Sequence, residues 1–261
     1  MKITAVGRRS AVAAVTVALL APLAACGGEE GTKKTAGSTP GAKLTVLAAA
    51  SLTDVFKKAG TAYEKKHPGT EVVFSFGGSQ ELAAQVKQGS PADALVTADT
   101  KTMDGLGSDT GTPTVIAKNR LVIATGEGNP KKIATLKDLA GKDLKVVLAA
   151  PEVPVGRYSK KILDAQQVAV KPVSQEPNVR AVLSKVELGE ADAGLVYRTD
   201  ASTATDKVDA IDIPDAQNAV ASYPAATLRT TGNEKAAAEF VKWLSGPEAQ
   251  KILRAAGFQQ P

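Results

Sequence analysis

Residues 44–56 read LTVLAAASLTDVF, and within them a strand turns into a helix. Leu44–Ala49 is a short apolar run of the kind that forms a buried strand. From Ser51 onward the period changes. Leu52, Val55, Phe56, Ala59 and Tyr63 recur at helical spacing and share one face. Ser51-Leu52-Thr53-Asp54 has the S-x-x-D form of a capping box, which makes Ser51 the expected N-cap. Pro68-Gly69 closes the unit.

The same strand-to-helix step recurs downstream. Val72–Phe76 reads as a second strand, and Gly77-Gly78-Ser79 opens a helix carrying Leu82 and Val86. Further strands are expected at Ala94–Ala98, Leu121–Ala124, Val146–Ala149, Gly194–Tyr197, Ala210–Ile213 and Ala225–Arg229. Pro154-Val155-Gly156 and Pro177-Asn178-Val179 open two helices. Glu234–Leu244 and Pro247–Ala256 form two more, with Gly257 at the C′ position. No repeat of fixed period is visible. Alternating strands and helices argue an α/β fold with mainly parallel sheets, in which ligands bind beyond the carboxyl ends of the strands.

Those ends share one chemical character. Ala49-Ala50-Ser51, Gly77-Gly78-Ser79, Val153-Pro154-Val155-Gly156 and Pro177-Asn178-Val179 each start a helix, and none puts an acid or a base at the tip. A helix N-terminus exposes unpaired N–H groups and carries partial positive charge, so it receives anions. Ser51 and Ser79 add hydroxyl donors, and Tyr197 ends a strand with a phenol. Taken singly, each feature has an ordinary structural use as a cap, a turn or packing. Taken together, they point to a receptor for a small anion.

Counts remove most other chemistry. The chain has 261 residues, one cysteine and one histidine. Cys26 has no internal disulfide partner, and no Cys or His cluster exists for zinc or iron–sulfur. His67 lies before Pro68-Gly69, where a basic residue suits a helix C-terminus. No base accompanies Ser51 as a nucleophile would require, so no catalytic residue and no cofactor is assigned. Asp93 and Asp99 flank an apolar run and read as turn and cap residues, and Trp243 reads as core beside Phe240 and Leu244. The formal charge is +5, but Lys2, Arg8 and Arg9 lie at the extreme N-terminus. Beyond residue 25 the excess is two positive charges, with no basic stripe for nucleic acid. No ATP-binding G-x-x-x-x-G-K-[ST] loop occurs.

The N-terminus reads as an address. Lys2, Arg8 and Arg9 precede an apolar run, Ala11–Ala21, too short to span a bilayer, as in a signal peptide. Leu23-Ala24-Ala25-Cys26 resembles the bacterial lipobox, which implies lipidation of Cys26 after cleavage of residues 1–25. Residues 26–42 lack any large apolar side chain and read as a flexible tether. The expected location is extracytoplasmic, lipid-anchored to the cell membrane.

Five segments carry a family resemblance: LTVLAAASLTDVF (44–56), FSFGGSQELAAQVKQGSPADALVTAD (74–99), PEVPVGRYSKKIL (151–163), EPNVRAVLSKVELGEADAGLVYRTDA (176–201) and WLSGPEAQKILRAAGF (243–258). They span the whole body, and they resemble the molybdate-binding proteins of ABC transporters. The resemblance implies a two-lobed periplasmic-binding-protein fold, each lobe a mixed, mostly parallel sheet flanked by helices, with the ligand cleft between the lobes. Lobe I would hold residues 43–123 and 223–261, and lobe II residues 124–222. It implies a monomer that hands molybdate, and tungstate, to ABC permease subunits. Carried over position by position, the family's oxyanion site falls on Ser51, Ser79, Val155, Val179 and Tyr197. Where some relatives have a serine run, this chain has Gly77-Gly78-Ser79, and its loop before Val153-Pro154 is shorter.

Neutral donors suit this ligand. Molybdate is fully deprotonated near neutral pH, so every oxygen only accepts, whereas a protonated phosphate oxygen must donate and finds no acceptor in a donor-only shell. Sulfate is also acceptor-only but smaller. Arg157 and Arg180, a turn or less past two junctions, stand where they add positive field or lie on the surface. The alternatives are a receptor for sulfate or phosphate, and a sensory lipoprotein with no transport role.

Overall fold

The computed structural model describes residues 41–261. The segment expected to be a signal peptide, Cys26 and the expected tether up to residue 40 lie outside the described residues. In chain order the elements are β1 Lys43–Ala49, α1 Thr53–Lys66, β2 Glu71–Gly77, α2 Ser79–Lys87, β3 Ala94–Val96, α3 Thr100–Asp104 and β4 Thr114–Gly126. Then follow β5 Val146–Ala149, α4 Pro154–Ala165, β6 Ser174–Glu176, α5 Val179–Glu187, β7 Ala193–Tyr197, α6 Arg198–Ala201 and β8 Val208–Asp212. The chain closes with β9 Val220–Thr227, α7 Glu234–Leu244 and α8 Pro247–Ala255.

The strands run in the order β2-β1-β3-β9-β4-β7-β5-β6, with β8 also on β4. β1 is parallel to β2 and β3, and β5 is parallel to β6 and β7. The antiparallel pairings all involve β4 or β9. β4 joins the two halves of the sheet. Its residues 114–120 pair with β9, and residues 121–126 pair with β7 and β8. The apolar run Leu121–Ala124 marks only the second part of β4. The first part alternates with polar residues such as Lys118 and Arg120, which conceals it from an apolar-run reading.

α1 buries Val55, Phe56, Ala59 and Tyr63 against the β1–β2 face, as its periodicity requires. Tyr63 meets Phe240 and Trp243 edge-on, so Trp243 packs against the core as expected. His67 ends α1 and stacks on Tyr63. Leu47, Leu82, Val86, Leu95, Met103 and Leu106 form a smaller cluster on the other side of β1 and β3. Helices thus cover both faces, and the strand ends are left as the place where loops meet.

Two local expectations need correction. Ser51 is not an N-cap. Residues Ala50–Leu52 form a 3-10 turn that runs straight into α1, with no side-chain cap, and the Ser51 hydroxyl turns inward instead. Asp93 stands at the bend before β3 but does not cap a helix. It is buried, accepts the Thr45 N–H at 2.7 Å and an Asn233 Nδ2–H at 3.1 Å, and so ties β1 to the segment before α7. Asp99 does cap, accepting the Thr102 N–H at 3.0 Å ahead of α3.

Candidate functional site

One small cavity lies where the strand ends of both halves meet. It is lined by Ala49, Ala50, Ser51, Gly77, Gly78, Ser79, Ala98, Val153, Pro154, Val155, Asn178, Val179 and Tyr197. All five residues singled out in the sequence, Ser51, Ser79, Val155, Val179 and Tyr197, are therefore brought together, and each is buried. The cavity is small, about 10 Å³, far too little for a sugar or an amino acid.

Each lining group is set by local structure. Ser79 is the first residue of α2, whose N-terminus is held by the Glu81 carboxylate accepting the Gly78 N–H at 3.0 Å. The Ser79 Oγ accepts the Ala98 N–H at 3.0 Å, so its own hydrogen is left for another partner. Pro154 is the first residue of α4 and has no N–H, which makes the Val155 amide the first donor of that helix. Val179 is the first residue of α5, behind Asn178, whose side chain caps Ala181 at 3.0 Å. Both valine amides sit in first turns, where no intrahelical carbonyl is available to them.

Tyr197 carries the clearest signal. Its Oη is buried without a hydrogen-bond partner among the described residues. Burial, with Tyr223 close by, pushes the phenol well above its ordinary pKa, so it stays protonated and remains a donor. A buried hydroxyl left unpaired costs roughly 1–3 kcal/mol. Such groups persist where a ligand completes them. Ser51 Oγ lies 3.0 Å from the Tyr223 hydroxyl.

The two arginines were expected either on the surface or adding field to the site, and they do something else. Arg157 Nε donates to Asp99 Oδ2 at 2.9 Å, and Arg157 Nη2 to Thr102 Oγ1 at 2.7 Å. Arg180 Nη2 donates to Asp54 Oδ2 and its Nε to Asp200 Oδ1, both at 2.6 Å. Each arginine lies on the β5–β7 half and reaches a carboxylate on the β1–β3 half. Gln80 Nε2 adds a third tie, donating to the Pro177 carbonyl at 2.8 Å. These bonds hold the cavity shut, and carboxylates already offset the arginine charges. Asp54, read as part of a capping box, serves in this tie. Asp200 was not singled out in the sequence, since nothing local to Arg198-Thr199-Asp200 tells that α5 packs against it.

Asp200 is fully buried, and burial pushes its carboxyl from the ordinary 3.8 up to about 6, against the pull of Arg180. The folded pKa lies above the unfolded one. The contribution of this proton to stability is therefore full below about pH 4 and is lost as the pH rises through about 6. Asp200→Asn is expected to remove that dependence. The difference in thermal midpoint between parent and variant should shift against the parent as pH rises across this window, and parallel melting curves would count against the assignment.

Among the described residues, no group of three or more Cys, His, Asp or Glu side chains is placed to hold a metal ion, and no helix is long and apolar enough to cross a membrane.

An α/β body whose small, donor-lined cavity is closed over from two halves is built as a solute receptor. The chain belongs to the molybdate-binding proteins within the bacterial extracellular solute-binding protein family, whose model matches residues 44–259. It is 41% identical over 251 residues to the molybdate-binding protein ModA of Mycobacterium tuberculosis, covering 95% of this chain and 96% of that one. With ModA of Escherichia coli the identity is 32% over 229 residues, 83% of this chain and 88% of that one. The periplasmic molybdate-binding protein of Azotobacter vinelandii shares the fold, with a TM-score of 0.72 at 24% identity over 84% of this chain and 99% of that one.

Proposed function

We propose that this protein captures molybdate, and also tungstate, outside the cytoplasm and delivers it to the permease subunits of an ABC transporter. The observation that carries the reading is the phenol of Tyr197, buried with no hydrogen-bond partner among the described residues, in a cavity that serine residues and helix tips also line. Ser51, Ser79 and Tyr197 would donate through hydroxyls, and Val155 and Val179 through backbone N–H groups. The naming of the ModA relatives as molybdate-binding proteins supports the choice of anion. Residues 43–123 with 223–261 act as one lobe and 124–222 as the other. The anion favours closure because the open form offers only part of the donor shell. The chain works as a monomer, held at the membrane through lipid on Cys26, and a partner supplies the energy, since the chain has no ATP-binding loop.

A melting panel of molybdate, tungstate, sulfate and phosphate on the purified protein tests this. At a hundredfold excess over its dissociation constant a ligand stabilises by about 2.7 kcal/mol. Molybdate and tungstate are expected to raise the midpoint. A rise with sulfate and none with molybdate would refute the reading. Tyr197→Phe is expected to weaken molybdate binding by about 1.5–3 kcal/mol, the worth of a hydrogen bond to a charged group. Its ligand-free midpoint should be unchanged or higher, because the hydroxyl has no partner to lose among the described residues. A large ligand-free destabilisation would instead mark Tyr197 as a packing residue.

A further inference from the structure

Behind the cavity lies a chain of buried polar groups whose direction is set from its far end. The Asn119 Oδ1 accepts the Arg120 backbone N–H at 2.9 Å, which settles which end of this amide is oxygen. Its Nδ2 therefore faces the Thr199 Oγ1 at 2.8 Å and the Tyr223 Oη at 3.5 Å. An amide nitrogen only donates, so the Tyr223 oxygen accepts from it. The phenol has a single hydrogen, and Ser51 Oγ at 3.0 Å is there to receive it. Burial holds that hydrogen in place by pushing the phenol's pKa far above its ordinary value. Ser51 Oγ then accepts from Tyr223, and its own hydrogen is left for the cavity it lines. Asn119, Tyr223 and Ser51 are all buried, so water does not compete for these bonds.

We propose that Tyr223, oriented by Asn119, is a positioning residue for anion selectivity: by donating to Ser51 Oγ it takes one of that oxygen's two acceptor positions, keeps the Ser51 hydrogen from turning back to the phenol, and so biases the Ser51 hydroxyl to donate into the cavity. This rests on the oxyanion reading of the site. An anion whose oxygens only accept finds a matched donor at Ser51. One with a protonated oxygen there has only the single lone pair that Tyr223 leaves on Ser51 Oγ, and only with the Ser51 hydrogen turned out of the cavity. Without Tyr223 the Ser51 hydroxyl is free to turn and accept, so the site loses both strength for the first kind and discrimination against the second.

The test uses calorimetric titration of the purified protein with molybdate and with inorganic phosphate near neutral pH, where phosphate carries at least one proton. Tyr223→Phe is expected to lower molybdate affinity about tenfold, the worth of one hydrogen bond in such a network, and to narrow the molybdate-to-phosphate ratio. In a Ser51→Ala background the same change should cost no further molybdate affinity, because Tyr223 acts through Ser51. Asn119→Ala, a second route to the same loss of direction, should narrow the ratio as well and also become silent once Ser51 is alanine. Equal losses for both anions, or losses that persist in the Ser51→Ala background, would mark Tyr223 as merely structural and overturn the inference. Unchanged binding by Tyr223→Phe would overturn it too. A parent protein that binds no molybdate would instead sink the oxyanion reading itself.

Discussion

Gly78→Ala is expected to fold and melt like its parent and to lose at least about a hundredfold in molybdate affinity, as a protein does when its binding-competent state falls to a small fraction. Gly78 has φ −63° and ψ 137°, a conformation open to any residue, so alanine brings no backbone strain. The obstacle lies across the cleft. A Cβ at this position would stand 2.4 Å from the Pro177 carbonyl oxygen of the opposite half and 2.5 Å from the Gln80 Nε2. Gln80 can swing away, at the loss of its own bond to Pro177, but the carbonyl belongs to the chain entering α5. In the proposed two-lobe motion only the closed form would suffer this clash, so the open form would keep its stability while closure is penalised. Calorimetric titration measures the affinity, and small-angle scattering reports whether molybdate still compacts the variant. Parental affinity would mean that binding does not need the approach of Gly78 to Pro177.

Gly156→Ala is expected to fail differently, by destabilising the fold itself by about 3 kcal/mol, at the upper end of the usual cost of overpacking. A Cβ on Gly156 would lie 2.0 Å from the Ala150 carbonyl oxygen and 2.7 Å from that of Ala149. Both oxygens are backbone, and both belong to the same half as Gly156, at the end of β5 where α4 begins. No hinge motion relieves the contact. The first turn of α4 must lift away from β5, which also displaces the Val155 amide from the cavity. Urea melting of ligand-free protein should show the loss directly. The two glycines thus separate the stability of one half from the closure of two. A Gly156→Ala protein as stable as its parent would show that α4 does not need this close approach.

Much of the site was legible because its parts are local. A strand end followed at once by a helix start is written in adjacent residues, so Ala49-Ala50-Ser51, Gly77-Gly78-Ser79, Val153-Pro154-Val155 and Asn178-Val179 could each be recognised as a tip rich in unpaired N–H groups. That all of them face one cavity was an expectation drawn from the fold class and the family resemblance. The misreadings share a cause. Ser51 looked like a cap because Asp54 follows three residues later, but the Ser51 partner is Tyr223 and the Asp54 partner is Arg180, both remote in sequence. Arg157 looked free because Asp99 is fifty-eight residues away. The first part of β4 was missed because a strand in the middle of a mixed sheet need not read as a continuous apolar run.

By itself, the sequence determined the α/β alternation, the donor-only character of the helix tips and the poverty in cysteine and histidine that leaves little scope for metal or nucleophile chemistry. These follow from composition and short-range periodicity, which act within a few residues. Only the tertiary structure decided which hydroxyls lie beside one another in the interior and which arginines bridge the halves. Those depend on what burial sets beside each group. A polar atom removed from water must take its partner from whatever the fold brings near, however distant along the chain.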